Sequence, residues 1–264
     1  MIFQIKIVRL GLHYLNLKYS QIVLKKRTRV SEAKSIVSIE DIQNQLAKSS
    51  SLKSNFKNNL ENQAQAIIAE IKKASPSAGI IAEDFNPILK AQEYEKMGAR
   101  ALSILTEEDF FQGSNKVLQD VKKVTNLPIL RKDFIIDDYQ IYESKLIGAD
   151  CILLITSILS DSQIEEYVSK AEAINLDVLI EVHDEEELAR VSRFHNALIG
   201  VNNRNLKTFE VDLMNAVRLR KNYDGNQIFI AESGIKSSAD IEYLVSNDIN
   251  VFLIGESLMR GNLF

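Results

Sequence analysis

The chain has 264 residues, 45% of them hydrophobic and 26% charged, a composition that can bury a core and excludes a disordered or collagen-like polymer. With 3 prolines, 10 glycines and a single cysteine, Cys151, it carries no disulfide framework, which points to a reducing, cytoplasmic setting. The net charge of −4 is unevenly spread: residues 1–60 hold 11 Lys/Arg against 3 Asp/Glu, and the remainder holds 21 against 33.

A basic leader can be a targeting peptide, a nucleic-acid arm or the solvated face of an N-terminal helix. A secretory signal needs about 7–15 unbroken apolar residues, and Lys6, Arg9 and His13 interrupt every run of that kind. A membrane span of about 20 apolar residues is excluded for the same reason. An organellar transit peptide would be rich in Ser and dominated by Arg, which this segment is not. No zinc spacing or aromatic-interleaved basic motif suggests nucleic acid. The solvated helix face is the preferred reading, with neither membrane nor nucleic acid as partner.

From residue 65 onward short β-rich apolar runs begin near Ala66, Ala101, Leu127, Cys151, Val178, Ala197, Gln227 and Asn250. Helical periodicity lies between them, as in Leu89–Met97, Asn115–Val124, Tyr139–Ile147, Gln163–Ala173, Glu185–Val191 and Ala239–Val245. The spacing averages about 26 residues, the size of a parallel βα unit. Met97-Gly98-Ala99 and Ile147-Gly148-Ala149 repeat one junction, in which Gly supplies a left-handed residue at the end of a helix. Eight such steps, with no GxGxxG after the first strand, predict an α/β fold: a closed (β/α)8 TIM barrel spanning 61–264, preceded by a basic extension with helices over 1–60.

Barrel sites form at the C-terminal ends of the strands. Those ends read Glu70-Ile71-Lys72-Lys73-Ala74-Ser75, Thr106-Glu107, Arg131-Lys132-Asp133-Phe134, Ile180-Glu181, Asn202-Asn203-Arg204, Glu232-Ser233-Gly234 and Gly255-Glu256-Ser257. Side chains alternate along a strand, so Glu70 and Lys72 share a face. A single residue among these reads more readily as a solvated loop charge; seven ionisable strand ends together do not. Ser233-Gly234 and Gly255 precede helix starts, where backbone N–H groups bind phosphate. The other reading is that both glycines simply cap turns. Cys151 is expected to pack as a small hydrophobe. His13, His183 and His195 lack ligand spacing, so no metal is expected, and His183 is placed at the surface or behind the mouth.

The run IAEIKKASPS at 68–77 resembles the signature of the indole-3-glycerol-phosphate synthase family. The resemblance continues through LTEEDFFQGS (105–114), LPILRKDF (127–134), GADCILLI (148–155), LIEVHDEEEL (179–188), IGVNNRNL (199–206), AESGI (231–235) and FLIGESLMR (252–260). It implies a lyase of tryptophan biosynthesis that needs no cofactor. The substrate, 1-(2-carboxyphenylamino)-1-deoxyribulose 5-phosphate, would close its ring, lose CO2 and then lose water. Lys132 matches the family's general acid, which on this reading needs a lowered pKa, with Lys72 or Arg131 as the neighbouring cation responsible. Glu181, Lys72 and Glu70 share the later proton transfers, and Asn202 and Glu232 complete the catalytic set. The benzoate carboxylate is assigned to Arg204, Asn202 and Ser75. The aromatic ring is assigned to Phe111, Phe134 and Leu153, and the phosphate to Ser233, Gly234, Gly255 and Glu256.

Three departures stand out. Ala78 occupies a position that is often lysine in the family, residues 1–20 match no family pattern, and the chain stops four residues after LMR, where an eighth helix would follow. The apparently truncated helix is expected to expose apolar surface on strand eight unless the N-terminal segment or a partner covers it. The rival functions are another phosphate-binding barrel, such as phosphoribosylanthranilate isomerase, or a non-catalytic binding partner. A monomer or weak homodimer is expected.

Overall fold

The computed structural model describes residues 20–48, 53–61, 63–205 and 210–263; expectations for residues 1–19 lie outside these. Eight parallel strands close into a barrel: β1 (Ala66–Ile71), β2 (Ala101–Leu105), β3 (Ile129–Lys132), β4 (Cys151–Ile155), β5 (Asp177–Val182), β6 (Leu198–Asn202), β7 (Phe229–Glu232) and β8 (Val251–Ile254). Closure is made by β1, whose Ile68 pairs with Ala101 of β2 on one side and Leu253 of β8 on the other. The pleat splits each strand's side chains between two cores. Ile68, Leu130, Leu153, Leu179, Leu198, Ile230 and Leu253 fill the interior, while Ile104, Ile152, Ile180, Ile199 and Phe252 face the helices.

Around the barrel run α4 (Pro87–Lys96), α5 (Asn115–Lys122), α6 (Tyr139–Leu146), α7 (Asp161–Ala173), α8 (Glu185–Val191), α9 (Met214–Lys221), α10 (Ser238–Val245) and the short α11 (Glu256–Met259). Their starts are chemically marked. Asn86, Ser114 and Asp184 accept first-turn N–H groups, and Ser160 and Ser237 form full capping boxes. Gly98 and Gly148 adopt the expected positive φ, 86° and 96°. The sequence reading passed over α9, because among MNAVRLRK only Ala216, Val217 and Leu219 are buried and its charges obscure the stripe. No helix among the described residues is long and apolar enough to cross a membrane.

The N-terminal part contributes α1 (20–36), α2 (Ile39–Lys48) and α3 (Phe56–Leu60). Phe56 and Leu60 of α3 plug the N-terminal end of the barrel, where Ser54 Oγ and the Lys57 N–H bind Asp177 at 2.6 and 3.0 Å. α1 lies at the opposite end. Its Lys26 forms a buried ion pair with Asp133 at 2.7 Å, and Val30 packs with Ile42 of α2 and Tyr139 of α6.

The expectation of exposed apolar surface on β8 is overturned. The outward-facing Phe252 and Ile254 are 0% and 2% exposed. Leu258 and Met259 of α11 and Leu263 join their apolar cluster, together with Ile241 and Leu244 of α10. α11 itself lies against β1, the strand with which β8 pairs.

Candidate active site

A cavity of about 740 Å3 opens at the C-terminal end of the barrel. Every residue proposed from the sequence lines it: Glu70, Lys72, Ser75, Phe111, Lys132, Phe134, Leu153, Glu181, Asn202, Arg204, Glu232, Ser233, Gly234, Gly255 and Glu256. They come from all eight strands or the loops that follow them, so only barrel closure brings them to one place.

Its floor is a set of charges. Lys132, at the end of β3, points inward with Nζ 3.0 Å from Glu181 Oε2 and 2.7 Å from Glu232 Oε2. Lys72 Nζ lies 2.5 Å from Glu70 Oε1, as expected of residues that share a face. Asn202 donates Nδ2 to Glu181 Oε1 at 3.2 Å, while its Oδ1 accepts from Ser233 Oγ at 2.9 Å and from the Arg204 N–H at 3.0 Å. One amide thus ties the acid cluster to both proposed anion-binding segments.

The expected lowering of the Lys132 pKa is corrected. Burial alone would lower it, but the charges of Glu181, Glu232 and Glu70 push it up. The proposed cation neighbours do other work. Lys72 is turned to Glu70, and Arg131, on the opposite face of β3, reaches Glu143, Thr106 and Ser144. Lys132 is therefore a firmly held cation whose charge is available to a developing oxyanion. The two carboxylates that share it diverge. Burial pushes Glu232 up to about 7 against the attraction of Lys132, with Glu181 adding like-charge repulsion. Burial opposes ionisation of Glu181 as well, but Lys132, His183 and the Lys132 and Asn202 hydrogen bonds hold it well below the usual carboxylate range. Divergent carboxyls of this kind can divide acid and base roles.

Two glycines make room for this cluster. A Cβ on Gly255 would sit 2.5 Å from Glu70 Oε1, and one on Gly200 would sit 2.2 Å from Glu232 Oε1. Gly200 was not singled out in the sequence, because nothing local marks an interior glycine whose neighbour is 32 residues away. Gly200→Ala is expected to displace the Glu232 carboxyl from Lys132, lowering turnover by about 10–100-fold with only a small change in melting temperature. Parent-like steady-state rates would show that this carboxyl need not stand there.

The apolar wall is built by the loop after β2. Glu107, buried, accepts the N–H groups of Asp109, Phe110 and Phe111 at 3.2, 2.7 and 3.0 Å and so curls the loop inward. Phe111 then meets Phe134 with ring centroids 6.3 Å apart, and Ile22 of α1 also lines the cavity. Ile22 escaped sequence reading because nothing local ties it to residues a hundred positions away.

At the proposed phosphate end, Ser233 and Gly234 both have positive φ, 67° and 86°, and a Cβ on Gly234 would strike Val211 at 2.3 Å. Just ahead of α10, the Asp240 carboxylate accepts the N–H groups of Lys236 and Ser237, both at 2.8 Å. The Ser233-Gly234 turn and the Gly255-Glu256 junction both line the cavity. Lys236 and Arg260 also line this part, two cations the sequence reading passed over. His183 does not line the cavity but stands behind Glu181, and Cys151 is buried within the barrel, its thiol pushed up by that burial.

The barrel form recurs in a solved structure of the N-acetylmannosamine-6-phosphate 2-epimerase from Clostridium perfringens, with a TM-score of 0.60, 14% identity, and coverage of 81% of this chain and 95% of that one. At such low identity the likeness shows the fold alone. Sequence relatives are much nearer. The indole-3-glycerol phosphate synthase of Thermoanaerobacter pseudethanolicus is 45% identical over 240 residues, 91% of each chain. That of Endomicrobium trichonymphae is 49% identical over 209 residues, 79% of this chain and 81% of the relative. The family model for indole-3-glycerol phosphate synthase matches residues 19–263, a span that contains the whole barrel, its charged floor and the helix that supplies Ile22. By that match and these identities the chain belongs to the indole-3-glycerol phosphate synthase family.

Proposed function

We propose that this chain converts 1-(2-carboxyphenylamino)-1-deoxyribulose 5-phosphate to indole-3-glycerol phosphate, CO2 and water. The observation that carries the reading is the placement of Lys132 between Glu181 and Glu232, opposite the Phe111–Phe134 wall, in a family-matched barrel.

The substrate has an anion at each end and an apolar ring, and the cavity has a counterpart for each. Arg204, Asn202 and Ser75 are assigned to the benzoate carboxylate. Phe111, Phe134 and Leu153 are assigned to the ring. Ser233, Gly234, Gly255 and Glu256 are assigned to the phosphate, with Lys236 and Arg260 close by to offset its charge.

Ring closure begins when the carboxyl-bearing ring carbon attacks the ribulose ketone. The carbonyl π electrons move to oxygen, which Lys132 stabilises and protonates. The C–CO2 bond then breaks, and its electrons restore the aromatic ring. In the last step the new hydroxyl takes up a proton and leaves as water, while a base removes the remaining proton from the adjacent carbon. Glu181, Lys72 and Glu70 are assigned to these two transfers, and Glu232 holds Lys132 in place.

We also read the protein as a cytoplasmic monomer or weak homodimer, a setting suited to its one buried thiol. The test is direct. The purified chain with synthetic substrate is expected to develop indole fluorescence at a rate that EDTA leaves unchanged. No fluorescence overturns the assignment, and loss of rate with chelator overturns the metal-free chemistry.

A further inference from the structure

His183 takes no part in the reaction outlined above, yet it is one of the most constrained side chains near it. It lies two residues beyond Glu181, so the two leave the chain on the same side. Its Nδ1 is 3.0 Å from Glu187 Oε2 of α8, and its Nε2 is 3.5 Å from Glu181 Oε1. That Nε2 is buried and has no hydrogen-bond partner among the described residues. Glu187 is itself fixed: the same Oε2 accepts the His183 main-chain N–H at 2.8 Å and lies 3.1 Å from the Thr156 hydroxyl.

The surroundings set the charge of the ring. The carboxyl groups of Glu181 at the end of β5, Glu187 on α8 and Glu232 on β7 all act on it in the same direction, favouring the charged ring. From α9, the neutral Asn215 donates Nδ2 to the His183 main-chain oxygen at 3.0 Å. The cation Lys132 lies beyond Glu181, bound to that residue's other oxygen. Burial would lower the imidazole's pKa, but the Glu187 hydrogen bond and these carboxylates raise it above its ordinary value.

We propose that His183 is a positioning residue for Glu181: braced by Glu187 as the imidazolium, it offers Nε2–H to Glu181 Oε1, so that Glu181 is gripped from one side by His183 and from the other by Lys132. The grip keeps this carboxylate charged and turned toward the cavity. Both ring nitrogens donate only while the ring is protonated; as pH rises through the imidazole's midpoint one N–H is left for two carboxylates, and the grip weakens. The kinetic part of the proposal rests on Glu181 acting in the reaction as described above.

Two measurements on the full chain test it. The first needs no activity: proton–nitrogen NMR of the imidazoles across pH is expected to put the His183 midpoint above about 6.5. Glu187→Gln and Glu181→Gln should each lower it. A midpoint at or below that value, or one that ignores both substitutions, overturns the proposal. The second is the pH profile of kcat. The parent is expected to lose rate on the alkaline side with a midpoint matching the NMR value, and Glu187→Gln should move both downward together. His183→Gln, which keeps a neutral donor, should lose about tenfold in kcat, the size of one charge-assisted hydrogen bond. Its KM should stay within about twofold, and the alkaline step should be missing. An unchanged kcat profile in His183→Gln overturns the proposal, as does a loss confined to folding. If the parent forms no indole at all, the functional assignment fails, while the NMR series still decides the His183–Glu181 contact.

Discussion

Lys132→Ala is expected to lower turnover by roughly 10²–10⁴-fold, about 3–5 kcal/mol of barrier, with KM changing far less. In the parent, the ammonium offsets two deeply buried carboxylates at 3.0 and 2.7 Å, and it is the inward cation nearest both. Removing it takes away the charge that meets the developing oxyanion and leaves Glu181 and Glu232 facing each other. The pair can then remain buried only by taking up a proton, since two like charges without a shared cation repel strongly in a medium of low dielectric. The Glu181 pKa should therefore rise, so the surviving activity should also fall off at a higher pH on the acid side than in the parent. Steady-state kinetics across pH, with circular dichroism to confirm the fold, decides the matter. A turnover equal to the parent's would remove Lys132 from the chemistry.

Its neighbour should fail in the opposite way. Arg131 is 3% exposed and points to the outer side of β3, where it donates to Thr106 Oγ1, the Gln140 carbonyl, Ser144 Oγ, Asp133 and Glu143. Arg131→Leu leaves the Glu143 and Asp133 carboxylates without this partner and strips several buried acceptors at once. Breaking such a network by removing one member costs about 3–5 kcal/mol, or roughly 10 °C in melting temperature for a chain of this size. Lys26 still holds Asp133 at 2.7 Å, so the strand end should survive and the remaining folded enzyme should keep most of its turnover at low temperature. Calorimetry gives the test: a melting temperature within about 2 °C of the parent's would show that the network adds little.

Both residues sit in LPILRKDF, and the sequence makes Arg131 one of two candidates for a cation acting on Lys132. Alternation along the strand separates them. Lys132 faces the cavity and Arg131 faces α6, which is why one substitution should strike the rate and the other the stability. The period of the βα units, the strand ends with their chemistry, and the Gly98 and Gly148 junctions were all legible because each depends on residues within one or two turns of chain. The helix α9 was not, its short apolar stripe lying under a run of cations. The burial of the outer face of β8 was likewise hidden, since the apolar cluster that holds Phe252 and Ile254 draws on side chains of α10, α11 and Leu263 whose packing no local pattern announces.

The sequence by itself determined the architecture, the set of side chains at the barrel mouth, and the family to which they point. Those follow from spacing and alternation, which are properties of the chain as a line. Only the tertiary structure decided that Lys132 is shared by carboxylates 49 and 100 positions away, that Gly200 yields its space to Glu232, that α1 reaches the site through Ile22, and that His183 stands behind Glu181. Barrel closure sets those distances. Charge and burial act through space rather than along the chain, so the protonation of this site is a property of the closed ring and not of any one motif.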